Sequence, residues 1–195
     1  NVDISGKLVV HDSVTFPDGT SQTTAFRPTA FKQTTVFRDL VVSGANPDDA
    51  TNPGNQKGGA ITELSTSIVL TEPNQNVFIN CRVAGDLNVN SVDFGMILHR
   101  SGGGPSVFLR APESGARGRF ITTNVISSSN DYSSGDSMVL TYVDTPTSAG
   151  TYIYTPVCMN SGAGGTKTYK LNRVQQSNDS IGFEVAVSTM VLQVI

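Results

Sequence analysis

Few residues of the chain have the type and spacing that acid–base or nucleophilic catalysis requires. The two histidines, His11 and His99, lie far apart in sequence, and neither stands in a recognisable triad context. The acidic pair Asp48-Asp49 lies in a polar stretch, where we expect a solvated turn and not a Ca²⁺ site, because a hard cation needs several converging oxygens. We therefore predict no catalytic residue, no metal site and no cofactor, and we expect His99 to be a hydrogen-bonded structural residue.

A sugar hydrolase is the one enzyme class for which the chain has candidate catalytic side chains, namely carboxylates. Such an enzyme needs two carboxylates that face each other across a cleft. Glu113, Asp131, Asp136 and Asp144 are available, but no spacing between them favours a particular pair. We do not expect an enzyme.

Two polar stretches carry side chains suited to contact with a sugar or an anion. Residues 127–135 offer hydrogen-bonding groups and one aromatic ring that can stack on a sugar, although the chain has no Trp. Residues 114–119 contain a small basic cluster that can contact an anion or an acidic sugar. The glycine-rich turn at 101–105 is the third candidate contact loop, and the alternative for all three is a solvated loop. The candidate contact residues in these stretches are Asn130, Asp131, Tyr132, Arg117 and Arg119.

The composition indicates strands as the elements that position these loops. Among 195 residues there are 22 Val and 21 Thr, against 10 Leu and 4 Glu. Val and Thr are stiff at χ1 and pack well on a pleated surface, whereas straight-chain helix formers are scarce. The net charge of −3 argues against nucleic acid as a partner, and the sequence has no apolar stretch long enough to insert into a membrane.

From residue 60 onward, short strand-like runs alternate with turn signals, which predicts an all-β, antiparallel sandwich of two sheets. Cys81 and Cys158 fall inside two of these runs, so we expect buried thiols. The predicted strands are 61–71, 76–84, 93–100, 106–110, 120–126, 137–143, 151–160, 167–175 and 181–195.

The first 33 residues differ from the rest of the chain. They hold extended stretches around the turn Pro17-Asp18-Gly19-Thr20 and too few apolar groups for a core of their own. We predict an N-terminal arm at 1–33 and a sandwich domain at 34–195. The boundary is placed between residues 30 and 60, because a polar run without large apolar residues covers 43–59.

In the last predicted strand, the side chains that point to either face of the sheet are apolar. Met190, Leu192 and Val194 alternate with Val191 and Ile195, which predicts burial on both faces, with a second subunit as one of the covers. The alternative is a bulge near Ser188-Thr189 that shifts the register.

Two parts of the sequence resemble bacteriophage tail-fibre and neck-fibre proteins. Val14–Phe26, VTFPDGTSQTTAF, resembles the fibre motif I-x-F-x-D-G-T-x-Q-T-T-A. Leu140–Val157, Thr168–Arg173 and Met190–Ile195 are similar to the C-terminal tip of such fibres, where Y-x-D-x-P, Y-x-x-N-R and an apolar last strand belong to a TNF-like jelly roll.

The resemblance implies a virion protein whose N-terminal arm continues a shaft toward other tail proteins. It implies a homotrimer with Met190, Leu192 and Val194 along the threefold axis, and attachment to a host cell-surface receptor, either a glycan or a protein. The alternative is a capsid or neck decoration protein that touches no receptor.

Overall fold

The structure, a computed structural model, describes residues 14–15, 21–22, 29–43, 59–87, 92–112, 120–126, 136–160, 166–173 and 185–195. Within these ranges the regular structure is β, apart from one 3-10 turn at Thr62–Leu64. The strands are β1 Val14–Thr15, β2 Ser21–Gln22, β3 Thr29–Thr34, β4 Arg38–Ser43, β5 Gly59–Ala60, β6 Thr66–Leu70, β7 Val77–Leu87, β8 Val92–Ser101, β9 Val107–Leu109, β10 Thr122–Ile126, β11 Asp136–Asp144, β12 Gly150–Asn160, β13 Thr166–Leu171 and β14 Ser188–Val194.

Two antiparallel sheets form the sandwich, and each is four strands wide. In the first sheet, β7 pairs with β11 on one side and with both β14 and β13 on the other. β3 pairs with β14, and β4 pairs with β13, so β3 and β4 together form the edge opposite β11. In the second sheet, β12 pairs with β8 and with the edge strands β5 and β6, while β9 and β10 pair with β8. Because the chain crosses from one sheet to the other between β4 and β5, β6 and β7, β7 and β8, β10 and β11, β11 and β12, and β12 and β13, the sandwich is a jelly roll, and the predicted fold class is confirmed.

The core lies between the sheets and follows from strict alternation along the strands. In β6, Thr66, Ile68 and Leu70 are buried while Ser67 and Val69 are exposed. Side chains of a strand point alternately to its two faces, so each strand contributes every second residue to the core. Cys81 of β7 and Cys158 of β12 both belong to this core as free thiols, as predicted.

The N-terminal prediction is refined at one point. β1 and β2 pair antiparallel around the predicted turn, with Val14 opposite Gln22 and Thr15 opposite Ser21. The predicted boundary at residue 33 falls inside β3, which pairs with β14 from Thr29 to Thr34. The sandwich therefore includes residues from 29 onward, while the polar run at 44–58 lies outside the described residues.

The last strand has one core face and one outward face. Met190, Leu192 and Val194 are buried in the protomer's own core, whereas Val191 is half-buried and Ile195 is exposed on the opposite parity. The threefold-axis role expected for Met190, Leu192 and Val194 does not fit this placement, because these side chains have no surface to offer a subunit. An interruption at residues 186–187 separates the isolated bridge of Val185 from β14, close to the register change considered as the alternative.

Candidate functional site

The two ends of the sandwich differ in what they carry. β3 begins at Thr29 opposite Gln193, and the C-terminal residue Ile195 donates its backbone N–H to the carbonyl oxygen of Asn76 at 2.9 Å. We call this the basal end, since residues 1–28 join the sandwich here. The turns 71–76, 102–106 and 145–149 also lie at the basal end, because β6, β8 and β11 each run toward it and end there.

The opposite end, called the distal end, receives the strand ends that flank the predicted receptor loop. Ile126 pairs with Val92, and Asp136 pairs with Gly85, so the chain leaves and re-enters the sandwich there around 127–135. The second predicted stretch is flanked by β9 and β10, which both pair with β8 along the same edge. The predicted contact residues themselves lie outside the described residues: Asn130, Asp131, Tyr132, Arg117 and Arg119.

The third candidate loop, 101–105, is at the basal end and therefore far from 127–135. Gly103 has a φ of 60°, and a Cβ at this position would meet the ring of Tyr152 at 2.4 Å. The Tyr152 hydroxyl is shared between the carbonyl oxygens of Ser148 and Gly103, at 2.9 and 3.1 Å. The ring thus fixes two basal turns to each other, which requires glycine at position 103.

The third basal turn is fixed in the same way. The backbone N–H of Asn74 donates to the carbonyl oxygen of Pro146 at 2.9 Å, and the Thr145 hydroxyl donates to Oδ1 of Asn76 at 2.7 Å. The three basal turns therefore form one connected surface.

A buried ionic cluster lies behind the basal turns and joins the two sheets. Arg100 Nη1 of β8 donates to both carboxylate oxygens of Asp144 of β11, at 2.9 and 2.8 Å, and the Tyr154 hydroxyl of β12 donates to Asp144 Oδ2 at 2.7 Å. The guanidinium of Arg100 also lies 5.6 Å from the centre of the Tyr152 ring. Burial and the hydrogen bond to Asp144 raise the pKa of Tyr154. Apart from Nε of Arg100, which is buried without a hydrogen-bond partner, these groups satisfy one another, so the Y-x-D-x-P motif, with its Asp144, has a structural role here.

A second buried cluster explains the asparagine of the Y-x-x-N-R motif. Asn172 has a φ of 60°, and its Nδ2 donates to the carbonyl oxygens of Thr34 and Val36 at 3.1 and 3.0 Å. Its Oδ1 accepts from the Ser188 hydroxyl at 2.6 Å, and Ser188 Oγ accepts from the backbone N–H of Ala84 at 3.0 Å. One side chain thus connects the end of β13 with β3, β7 and β14.

The neighbouring Arg173 belongs to a more exposed ion cluster. Asp39 of β4 accepts from Lys170 Nζ at 2.7 Å and from Arg173 Nη2 at 2.6 Å. Slight burial opposes the charged form, but these two cations outweigh it and hold the pKa of Asp39 below its ordinary value. The cluster joins β4 to the end of β13.

His99 differs from the sequence expectation. Its ring lies 5.0 Å from the ring of Phe108, and its Nε2 is buried without a hydrogen-bond partner. Desolvation lowers the pKa of His99, since burial disfavours the imidazolium. The hydrogen bond expected for this histidine is not made at Nε2.

The described ranges contain no group of three or more His, Cys, Asp or Glu residues arranged to hold a metal ion. No helix among the described residues has the length and hydropathy to cross a membrane.

Comparisons with known proteins bear on the fold. The sequence matches no protein-family model and no curated protein. The fold is similar to the structure of Eiger TNF from S. frugiperda, with a TM-score of 0.40 and 10% identity over 86% of this chain and 90% of that chain. It is also similar to a chain in the structure of infectious bursal disease virus Gx strain, with a TM-score of 0.35 and 11% identity over 86% of this chain and 36% of that chain. The present chain thus spans about a third of that viral chain, and no residue role is carried over from either protein.

Proposed function

We propose that the chain is the tip of a homotrimeric virion fibre that attaches to a host cell-surface receptor, either a glycan or a protein. The arm at 1–33 continues toward the rest of the fibre and its other tail proteins. The tip binds its receptor without catalysis and without a cofactor. The fibre motif in Val14–Phe26 supports the placement on a phage tail fibre.

The polarity of the sandwich is the observation that supports this function most directly. Residues 1–28 join the sandwich at the basal end, where three turns are bonded to one another and to the C-terminal residue. The strands that flank 44–58, 88–91, 127–135 and 161–165 all end at the distal end. Loops on a rigid sandwich are the usual carriers of recognition, and those at the distal end face away from the shaft.

Binding of the fluorescently labelled chain to intact host cells tests the proposal. Tyr132→Ala removes the aromatic surface of the predicted contact loop, and the loss of an aromatic anchor costs about 2 kcal/mol, roughly a 30-fold loss of affinity. Thr147→Ala is the matched control, because Thr147 is exposed on a basal turn. We expect the control to bind like the unaltered protein.

Three outcomes are informative. Reduced binding of Tyr132→Ala alone supports attachment through the distal end. Reduced binding of Thr147→Ala alone contradicts it. Failure of the unaltered protein to bind any plausible host, together with binding to other virion proteins, would replace attachment by the decoration role.

A further inference from the structure

Within the described strands, β9 is attached to the second sheet on one side only. Its three residues, Val107–Leu109, pair with β8 and with no other described strand, and all three side chains are half-buried. At its first residue β9 follows the basal turn that the Tyr152 hydroxyl holds through the carbonyl oxygen of Gly103. Short segments with few buried contacts open locally at a low cost in free energy. β9 can therefore separate from β8, beginning at Leu109, while the other strands stay paired.

β9 covers part of an apolar cluster on the outer face of the second sheet. Ile97, Val157 and Met159 are buried there, and Phe108 of β9 and Phe120 pack against them. Ile97 and Val157 are only 3% and 1% exposed. Because Phe108 is one of the side chains that keep water away from this cluster, the separation of β9 exposes apolar surface.

His99 is the residue of β8 that lies opposite the centre of β9. It is paired with Phe108 of β9 and with Thr155 of β12. Its ring centre lies 5.0 Å from that of Phe108, and its Nε2 is buried without a hydrogen-bond partner. A neutral imidazole has one N–H donor, whereas the imidazolium has two, and each needs an acceptor. The packing therefore suits the neutral form, because the charged form keeps a buried N–H without a partner.

The strands around His99 offer no negative charge to an imidazolium. β6, β9, β10 and β12 contain no charged residue. Thr155, the neighbour on β12, has its hydroxyl 2.8 Å from the hydroxyl of Ser65. The charged residues of β8 besides His99 are Asp93, six positions nearer the distal end, and Arg100, the next residue, whose side chain lies on the opposite face of the sheet.

The charged residues on the adjoining segments do not supply a partner either. Glu63 of the 3-10 turn is paired with Arg38 at 2.8 Å, and Asp144 is paired with Arg100 at 2.8 Å. Arg110, which follows β9, is a cation and opposes a second positive charge nearby. The described elements packed against His99 therefore provide no unpaired carboxylate for its protonated form.

We infer that the contact between His99 and Phe108 is an acid-sensitive latch: a proton on His99 releases β9 from β8 and uncovers the apolar cluster of Ile97 and Val157. The buried Nε2 gains a water partner only when Phe108 moves away, and the weak attraction of an aromatic face for a cation does not replace that hydrogen bond. Desolvation lowers the pKa of His99 in the closed form, so protons bind more tightly to the open form and acid favours opening. The inference concerns a single chain and does not rest on the proposed function.

Hydrogen–deuterium exchange of the full chain at pH 7.5 and pH 5.5 tests the latch, with each time course scaled by the intrinsic exchange rate at that pH. We expect the amides of β9 to lose about tenfold in protection at pH 5.5, the effect of one buried donor left without a partner. The amides of β7 and β12 should keep their protection at both pH values, because these strands are paired on both sides.

Three variants identify the responsible group. His99→Phe keeps an aromatic ring against Phe108 but cannot take up a proton, so β9 should be equally protected at both pH values. His11→Gln is the matched control, because His11 is the other histidine of the chain, and it should keep the full response. Phe108→Ala removes the cover itself, and β9 should then exchange rapidly at pH 7.5 as well as at pH 5.5.

The outcomes decide for or against the latch. Equal protection of β9 at both pH values in the unaltered protein overturns it, and so does a pH response that persists in His99→Phe. A loss of protection at pH 5.5 that β7 and β12 share equally also contradicts it, since that is unfolding of the whole sandwich. None of these results changes the binding of the chain to host cells at pH 7.5, so the proposed function is tested separately.

Discussion

At the scale of single residues, Asn172 links several strands through three side-chain hydrogen bonds. Asn172 and Asn74 have the same φ of 60°, but Asn172 is fully buried with three side-chain hydrogen bonds, whereas Asn74 is exposed. We expect Asn74→Ala to cost about 1 kcal/mol, the strain of a left-handed alanine. Asn172→Ala adds the loss of three hydrogen bonds at about 1 kcal/mol each, about 4 kcal/mol in total. Urea unfolding of both variants measures the difference, and equal losses would contradict the role of the side chain.

The two thiols allow a second prediction at this scale. Burial raises the pKa of Cys81 to about 12, and burial raises the pKa of Cys158 as well. Since the thiolate is the reactive form, neither should react with a thiol reagent at pH 8 in the folded protein, and both should react in denaturant. Rapid labelling of the folded protein would show that the core between the sheets opens readily.

His99 makes stability depend on pH in a defined direction. Its pKa is lowered in the folded state below the ordinary 6.5, so the folded protein binds fewer protons than the unfolded chain in this range. Stability is therefore complete above pH 6.5 and decreases as the pH falls from there through the folded pKa. His99→Phe should remove this decrease, which denaturant midpoints at pH 7.5 and 5.5 will show. An unchanged pH dependence would exclude His99 as its source.

At the scale of elements, the two sheets are held together at the basal end by the ion pair of Arg100 and Asp144. Their side chains are only 17% and 8% exposed, so a charge left without its partner is costly. We expect Asp144→Asn to reduce the free energy of unfolding by about 3 kcal/mol, while Arg100→Met combined with Asp144→Leu should recover a large part of the loss. Chemical denaturation of the single and double variants gives the coupling. Additive losses would mean that the two side chains act independently.

The elements also show where sequence reasoning succeeds. The abundance of Val and Thr, with alternation between turn signals, predicts the strands from β6 to β14, because period-two burial is a local property. The earlier strands β3, β4 and β5 are not among the predicted ones, and most of β3 falls in the predicted arm. The sequence of β14 alone does not determine which of its alternate side chains face the core, because Met190 and Val191 are equally apolar. The inward set is the one that contains the buried Ser188, whose hydroxyl donates to Asn172, a residue 16 positions earlier.

The polar clusters could not be predicted from the sequence for the same reason. Asp144 stands in a recognisable motif, but its partner Arg100 lies 44 residues away on the other sheet. Phe31 and Val139 come from distant parts of the chain and likewise reach one side of the same sheet only through the order of its strands. Such features depend on strand order, which the pattern of a single strand does not contain.

At the scale of the whole molecule, the proposed function requires the basal end of the sandwich to face the shaft and the distal end to face the host. Electron microscopy of the fibre with a gold label tests this polarity directly. A label attached at Ile195 should lie next to the shaft, and one inserted in 127–135 should lie at the outermost point of the fibre. The reverse arrangement, with the Ile195 label outermost, would contradict the account.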